Sequence, residues 1–405
     1  MATFYIDPSS TTNGTGTIED PKNTFVGITW AANNTYLLKR GTVLYETITP
    51  STGSTLVFSS YGDLNLDLPI VDCANTRAVG LNLNSRVSCT ITNLHFKNQI
   101  GGPANGGVVV TGSNHTIKNC RFSQCQVSIH VNASANNLIQ GNYFDLGNPQ
   151  QSSTASAYGV RINAASSARN RVIFNTLRST TRVNFISSLE LYGATDCVLG
   201  WNDVLVPFAD GPALRMGTTG SYLIGNYIRG KNVLDGLVVE GSSSNFIYNN
   251  TVIHLGDTEN HFGPAFKMGN EFGAGTPSDL NIIKNNIFVS HVNLAFAASV
   301  VGSNNVFNNN CYYRTVASGP SSTIISYNTG SGSTNHTLAT WQALGFDANS
   351  FNAKPDILIS GLPKQNSFLI GAGNYVGQYV DPTKKYYTNP PTIGAYEFVE
   401  ERAVR

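Results

Sequence analysis

Short apolar runs alternate with polar turns along most of this chain, and the runs are too short and too closely spaced for helices. From residue 106 onward, β-prone runs recur between small-residue and Asn-rich breaks: "GGVVVTGSNHTIKNCRF" (106–122), "VSIHVNASANNLIQGNYF" (127–144), "GVRINAASSARNRVIFNTL" (159–177) and "SLELYGATDCVLGWNDV" (188–204). The phrase continues as "PALRMGTTGSYLIGNYI" (212–228), "GLVVEGSSSNFIYNNTV" (236–252) and, with an insertion, "PAFKMGNEFGAGTPSDLNIIKNNIF" (264–288). None of these units has helical 3.6-residue periodicity or room for a βαβ crossover, so each reads as one rung of two or three short strands. A unit repeating every ~25 residues cannot bury its apolar side alone and must stack on its neighbours. The expected fold class is therefore all-β, a single-stranded parallel β-helix (solenoid) with N-terminal and C-terminal capping elements.

Stacked rungs lie roughly 4.8 Å apart, so turn chemistry should repeat from coil to coil. Asn119, Asn142, Asn175, Asn202, Asn226, Asn249 and Asn285 or Asn286 occupy matching points, as an internal amide ladder requires. Residues 1–54 read as a turn-rich cap with a weakly helical piece at about 23–32 and entry strands, and 55–311 as the coils. Residues 312–405 lose the period and read as closing coils, a second cap or a small oligomerisation element, with a short helix expected in "TLATWQALG" (337–345).

Composition narrows the partners. Charged residues make up only 12% and the net charge is +1, which gives no basic field for nucleic acid. Nowhere do 18 apolar residues run together, so no membrane insertion is expected. "MATFYIDPSS" lacks a charged segment followed by an apolar core, so a virion or extracellular location implies signal removal or release by lysis. Six cysteines match no tight metal spacing and read as small buried apolar residues; neither metal nor cofactor is expected.

With so few charges, their placement matters. Glu190, Arg215, Glu240 and Lys267 are spaced 25, 25 and 27 residues apart, so they are expected on consecutive rungs of one outward face, with Arg161 and His130 on the rungs before. Such an alternation is either a surface ion-pair ladder or a glycan site in which cations hold acidic sugars and carboxylates move protons. Asp210 and Asp235 precede corner glycines; they are turn residues or, paired with Glu190 or Glu240, the acid and base of a hydrolase. The insertions "NPQQSSTAS" (148–156), "HLGDTENHFG" (254–263) and "NEFGAGTPSD" (270–279) are expected to wall the binding face, with His254 and His261 as substrate-binding candidates and Tyr192 and Tyr222 as exposed stacking aromatics.

The opening "YIDP…NGTGTIEDP" (5–21), the strand "LLKRGTVL" (37–44), the coils and the closing "TIGAYEF" (392–398) resemble the right-handed parallel β-helix carbohydrate-active proteins. Within that group the phrases are similar to polysaccharide lyases of the alginate-lyase and chondroitinase-B type and to phage tail-spike depolymerases. The resemblance implies a right-handed coil. It also implies a lyase or glycoside hydrolase acting on a bacterial capsular, exo- or lipopolysaccharide, a homotrimer, and phage tail or baseplate partners. The alternative is a non-enzymatic adhesin or structural spike. The lyase group carries Leu-Arg-His-Gly with a basic lysine one coil earlier. Here "LRMG" (214–217) keeps Arg215, places Met216 at the histidine, and puts Tyr192 or Gly193 at the lysine position. On this reading Arg215→Ala is expected to abolish cleavage with little effect on folding.

Overall fold

The computed structural model describes residues 1–146, 157–179, 186–206, 211–231, 235–255, 263–269, 277–291, 294–299, 301–316, 322–328, 332–377 and 379–398. The chain is a right-handed parallel β-helix and forms two compact units, Met1–Thr195 and Asp196–Arg405.

In each unit a rung gives one short strand to each of three parallel sheets. In the first unit Gly106–Val110 (third sheet) leads to Thr116–Lys118 (first sheet) and then Arg121–Cys125 (second sheet). The next rung, Val127–Asn132, Leu138–Gln140 and Tyr143–Leu146, stacks on it with Ile129 on Val108, Ile139 on Ile117 and Phe144 on Phe122. In the second unit Leu199, Leu223, Ile247, Ile283 and Phe307 form one such column. β-Branched and aromatic residues suit these half-rung strands because like side chains stack directly. Phe96, Phe122 and Phe144 are fully buried with centroids 5.3 and 5.0 Å apart, and Phe266 stacks on Phe288 and Phe296 at 4.7 and 5.0 Å.

The amide ladder is present, with its register corrected. In the second unit Asn202, Asn226, Asn250 and Asn286 each donate through Nδ2 to Oδ1 of the next member, ending at Asn310, all at 3.0 Å. In the first unit Asn142 donates to Asn175 at 3.1 Å, and the slot expected for Asn119 belongs to Cys120, whose N–H donates to Asn142 Oδ1. Asn119, Asn249 and Asn285 sit one residue earlier with φ of 53°, 54° and 60°. Each corner thus needs a left-handed residue and then an inward amide, and Asn satisfies both. At another corner a second ladder runs Asn137 to Asn170 and, in the second unit, Asn245 to Asn281 to Asn305. His115 and Ser221 stand in for Asn in it, accepting from Cys89 N–H and Cys197 N–H.

The six cysteines are buried free thiols, as expected, and burial pushes Cys120 up to about 12, so it is inert as a nucleophile. No helix forms over 23–32. Strand Thr3–Ile6 pairs directly with Thr35–Lys39, Gly27 takes φ of 76°, and Phe25 and Trp30 pack instead on Tyr36 and Phe58. In the second unit the expected helix spans Leu338–Gln342, with Thr337 capping Thr340 N–H. Behind it the buried Asp347 accepts from Asn310 Nδ2 (3.0 Å), Tyr312 OH (2.9 Å) and Trp341 Nε1 (2.8 Å), so the main ladder ends on a carboxylate.

Candidate functional site

The third sheet carries the charged residues. In the first unit Val109, His130, Arg161 and Glu190 are successive register partners, so His130 and Arg161 do share a column with Glu190. Arg161 Nε donates to Glu190 Oε1 at 2.8 Å, its NH1 donates to Pro103 O at 2.9 Å, and its guanidinium lies 5.0 Å over the Tyr158 ring. His130 is fixed by Ala104 O at Nδ1 (2.9 Å) and Asn163 Oδ1 at Nε2 (2.8 Å). Tyr192 partners Asn163, two residues beyond Glu190 and so on the same side, and is 43% exposed.

In the second unit the column is Arg215, Val238, Lys267 and Ala297. Glu240 is not in it. It pairs with Gly269, two residues further along the strand. The even spacing of 25 misled because rungs differ in length: equivalent ladder asparagines are 24, 24, 36 and 24 residues apart. Two residues preserve the side of a strand, so Glu240 still meets Arg215, whose Nε and NH2 both donate to Oε2, at 3.1 and 2.9 Å. Lys267 Nζ lies 3.7 Å from Asp235 Oδ2.

Exposure is the second correction. Leu214, Met216, Leu237 and Val239 take the inward positions, so the charged side chains are outside the core, as expected, yet their carboxylates are not on the surface. Glu190 is 3% exposed and Glu240 and Asp235 1% each. Carboxylates so placed have lost most of their hydration and depend on their cations. Arg215→Ala would leave Glu240 buried without this cation, so it is expected to destabilise the fold as well as to affect any activity.

His254 is not a loop residue. It lies in the second-sheet strand Thr251–Leu255 between register partners Gly230 and Ser290 and is buried. Asp210, His261 and most of the three insertions lie outside the described residues. Tyr222 stacks on Phe246 at 4.6 Å. Among the described residues no three His, Cys, Asp or Glu side chains converge as a metal site, and no helix is long and apolar enough to cross a membrane.

One feature escaped the sequence reading. The outer side of the second sheet in the first unit holds a cavity of about 350 Å³ lined by Asp67, His95, Lys97, Arg121, Ser123 and Asp145, among others. Its signal was available in "LHFK" (94–97), "RFSQ" (121–124) and "YFDL" (143–146): the residues flanking each stacked phenylalanine face outward together.

Residues 77–199 match the family described as a right-handed β-helix region. Among solved structures, the chain is similar to XylC in complex with xylose, at 8% identity over 98% of both chains and a TM-score of 0.55. It is also similar to pectate lyase Pel9A (16%, 98% of this chain and 97% of that one, 0.44). A third is GH136 lacto-N-biosidase from Eubacterium ramulus (11%, TM-score 0.43), where the match takes in 77% of this chain and 64% of the other. At these identities the likeness establishes the fold alone. No curated protein matches the sequence.

Proposed function

We propose that this protein binds and depolymerises an acidic bacterial surface polysaccharide, capsular, exo- or lipopolysaccharide, in the manner of a phage tail spike. The observation that carries the reading is the burial of three carboxylates, each beside a cation: Glu190, on the outward side of its strand in the first unit, and in the second unit Glu240, likewise outward, and Asp235 next to Lys267. A buried ion pair is often no more stable than a packed apolar pair. Three of them, in a chain with 12% charged residues, are a costly way to hold strands together and a good way to handle an acidic sugar. Within the first unit Arg161 would hold a sugar carboxylate, with Glu190 moving a proton and Tyr192 presenting its phenol on the same side of the strand; within the second, Arg215 and Lys267 would hold one, with Glu240 and Asp235 moving protons. The resemblance to tail spikes adds a homotrimer and a virion or extracellular setting.

β-Elimination and hydrolysis leave different ends, so one assay separates them. The protein is incubated with a panel of acidic capsular and uronate polysaccharides. Ultraviolet absorbance of unsaturated uronate with chain shortening identifies elimination, and new reducing ends without that absorbance identify hydrolysis. Binding without either supports the second reading, a non-cleaving adhesin, which is favoured by the fact that each cation is already matched to a carboxylate. Neither cleavage nor binding anywhere in the panel overturns both. Glu240→Gln, which keeps the shape and removes the charge, should lower kcat/KM at least about 100-fold if Glu240 transfers a proton.

A further inference from the structure

The second-sheet cavity of the first unit holds a nucleophile and a base already in contact. Ser123 Oγ lies 2.6 Å from His95 Nε2, within the range of an activated serine. The two reach each other because Arg121 is the register partner of His95 on the neighbouring rung and Ser123 lies two residues further on the same side. Ser123 immediately precedes a β-bulge at which Gln124 takes φ of 53°; bulges at such places re-aim a side chain. Along its own column Ser123 stands between Lys97 and Asp145.

We propose that Ser123 and His95 form an ester-hydrolysing site, distinct from the third-sheet charges, which removes a small O-acyl group from a sugar hydroxyl. The volume, about 350 Å³, is at the lower end for ligand pockets and suits one acylated sugar unit. The sugar is taken from the proposed function; the ester chemistry rests on this cavity alone. Ser123 Oγ attacks the acyl carbonyl while its proton passes to His95 Nε2. Lys97 and Arg121, which line the cavity, oppose the charge forming on the carbonyl oxygen. The C–O bond to the sugar then breaks, and its oxygen takes the proton from His95. Water, deprotonated by His95, cleaves the acyl-serine to carboxylate and free Ser123. The sum is ester plus water giving alcohol, carboxylate and a proton.

Burial, followed by the charges of Arg121 and Lys97, pushes the His95 ring down to about 4, against the pull of Asp67 and Asp72. At neutral pH the ring is therefore uncharged, and the tautomer required has its lone pair on Nε2, where it accepts from Ser123 Oγ. So weak a base limits turnover, which makes covalent labelling the sharper readout than rate.

The full chain is treated with a fluorophosphonate, which phosphonylates an activated serine with loss of fluoride, and the adduct is located by peptide mass. In parallel, acetate release from 4-nitrophenyl acetate and from an O-acetylated polysaccharide is followed. The expected result is one adduct on Ser123, absent in Ser123→Ala and at least 10-fold slower in His95→Gln. Acetate release should fall at least 50-fold in Ser123→Ala, whose thermal midpoint should match the parent. An adduct on another residue, no adduct, or full activity in Ser123→Ala overturns the proposal. Glu240→Gln is expected to keep the adduct, so loss of polysaccharide cleavage and loss of this site are read separately.

Discussion

Two kinds of polar stack are built into this protein, and they obey different rules. Inside the coil, asparagines repeat one above another, each neutral and each donating to the next at about the same distance. Outside it, on the third sheet, unlike residues meet in crossed pairs: Arg161 with Glu190 in one column, Arg215 with Glu240 on a diagonal, Lys267 with Asp235. The inner stack is a consequence of repetition, since one amide that donates and accepts along the axis can be copied without limit. The outer pairs cannot be copied, because a like charge on the next rung would repel. Repetition therefore marks what supports the coil, and its interruption marks the residues assigned to the proposed function.

The inner stack should break most severely. Asn250 accepts from Asn226 N–H and Nδ2 and donates to Leu223 O and Asn286 Oδ1. Asn250→Ala strands several of these groups and is expected to cost about 3–5 kcal/mol, read as a fall in the thermal midpoint. A loss no larger than that of a surface Asn→Ala control would mean that the amides only fill space. Arg215→Ala should cost less, about 2–3 kcal/mol, since Arg215 is partly solvated while Glu240 is not. Adding Glu240→Leu should recover most of the loss, as measured by a double-mutant cycle in denaturant; no recovery would show that the pair is not the source.

A third, smaller effect sharpens the contrast inside the ladder itself. His115 occupies an Asn slot, its Nε2 is buried without a hydrogen-bond partner, and burial pushes the ring down to about 4. The unfolded ring titrates near 6.5, so between these values the unfolded chain binds more protons. This contribution is complete above about pH 6.5 and is lost as the pH falls toward 4. His115→Asn should remove on the order of 2 kcal/mol of that acid loss, leaving the similar share due to His95; an unchanged stability profile from pH 7 to 4 would refute the assignment. Tyr192→Phe should give the smallest change in folding, below about 0.5 kcal/mol for a residue 43% exposed, and a larger change in polysaccharide binding.

The same contrast explains what could be read from the sequence. The coil is legible because apolar runs and asparagines recur in phase; the ladder shifts by one residue where "NN" fills two adjacent slots that both favour Asn, as at Asn249 and Asn250, and at Asn119, where the inward slot holds Cys120 instead of an amide. The second ladder was hidden by substitution, His115 and Ser221 doing an asparagine's work. The column departs from the even spacing of Glu190, Arg215, Glu240 and Lys267 because the rungs of this sheet are unequal, 23 residues from Arg215 to Val238 and 29 from Val238 to Lys267, and a pair formed on a diagonal leaves no fixed spacing to find. His95 and Ser123 lie 28 residues apart, a separation that means nothing until the phenylalanine stack has set the rungs.

A column of amides all pointing one way always has an unfinished end. Another coil would only move that end outward, as a new asparagine accepts below and offers its hydrogens above. In this chain the sequence stops being periodic where the offer is finally met: Asn310 gives its backbone hydrogen to Ser350 Oγ and its side-chain hydrogen to the carboxylate of Asp347. An acid that accepts and passes nothing on is the full stop of the coil. Where the winding ceases is thus decided by one residue's chemistry as much as by running out of repeats.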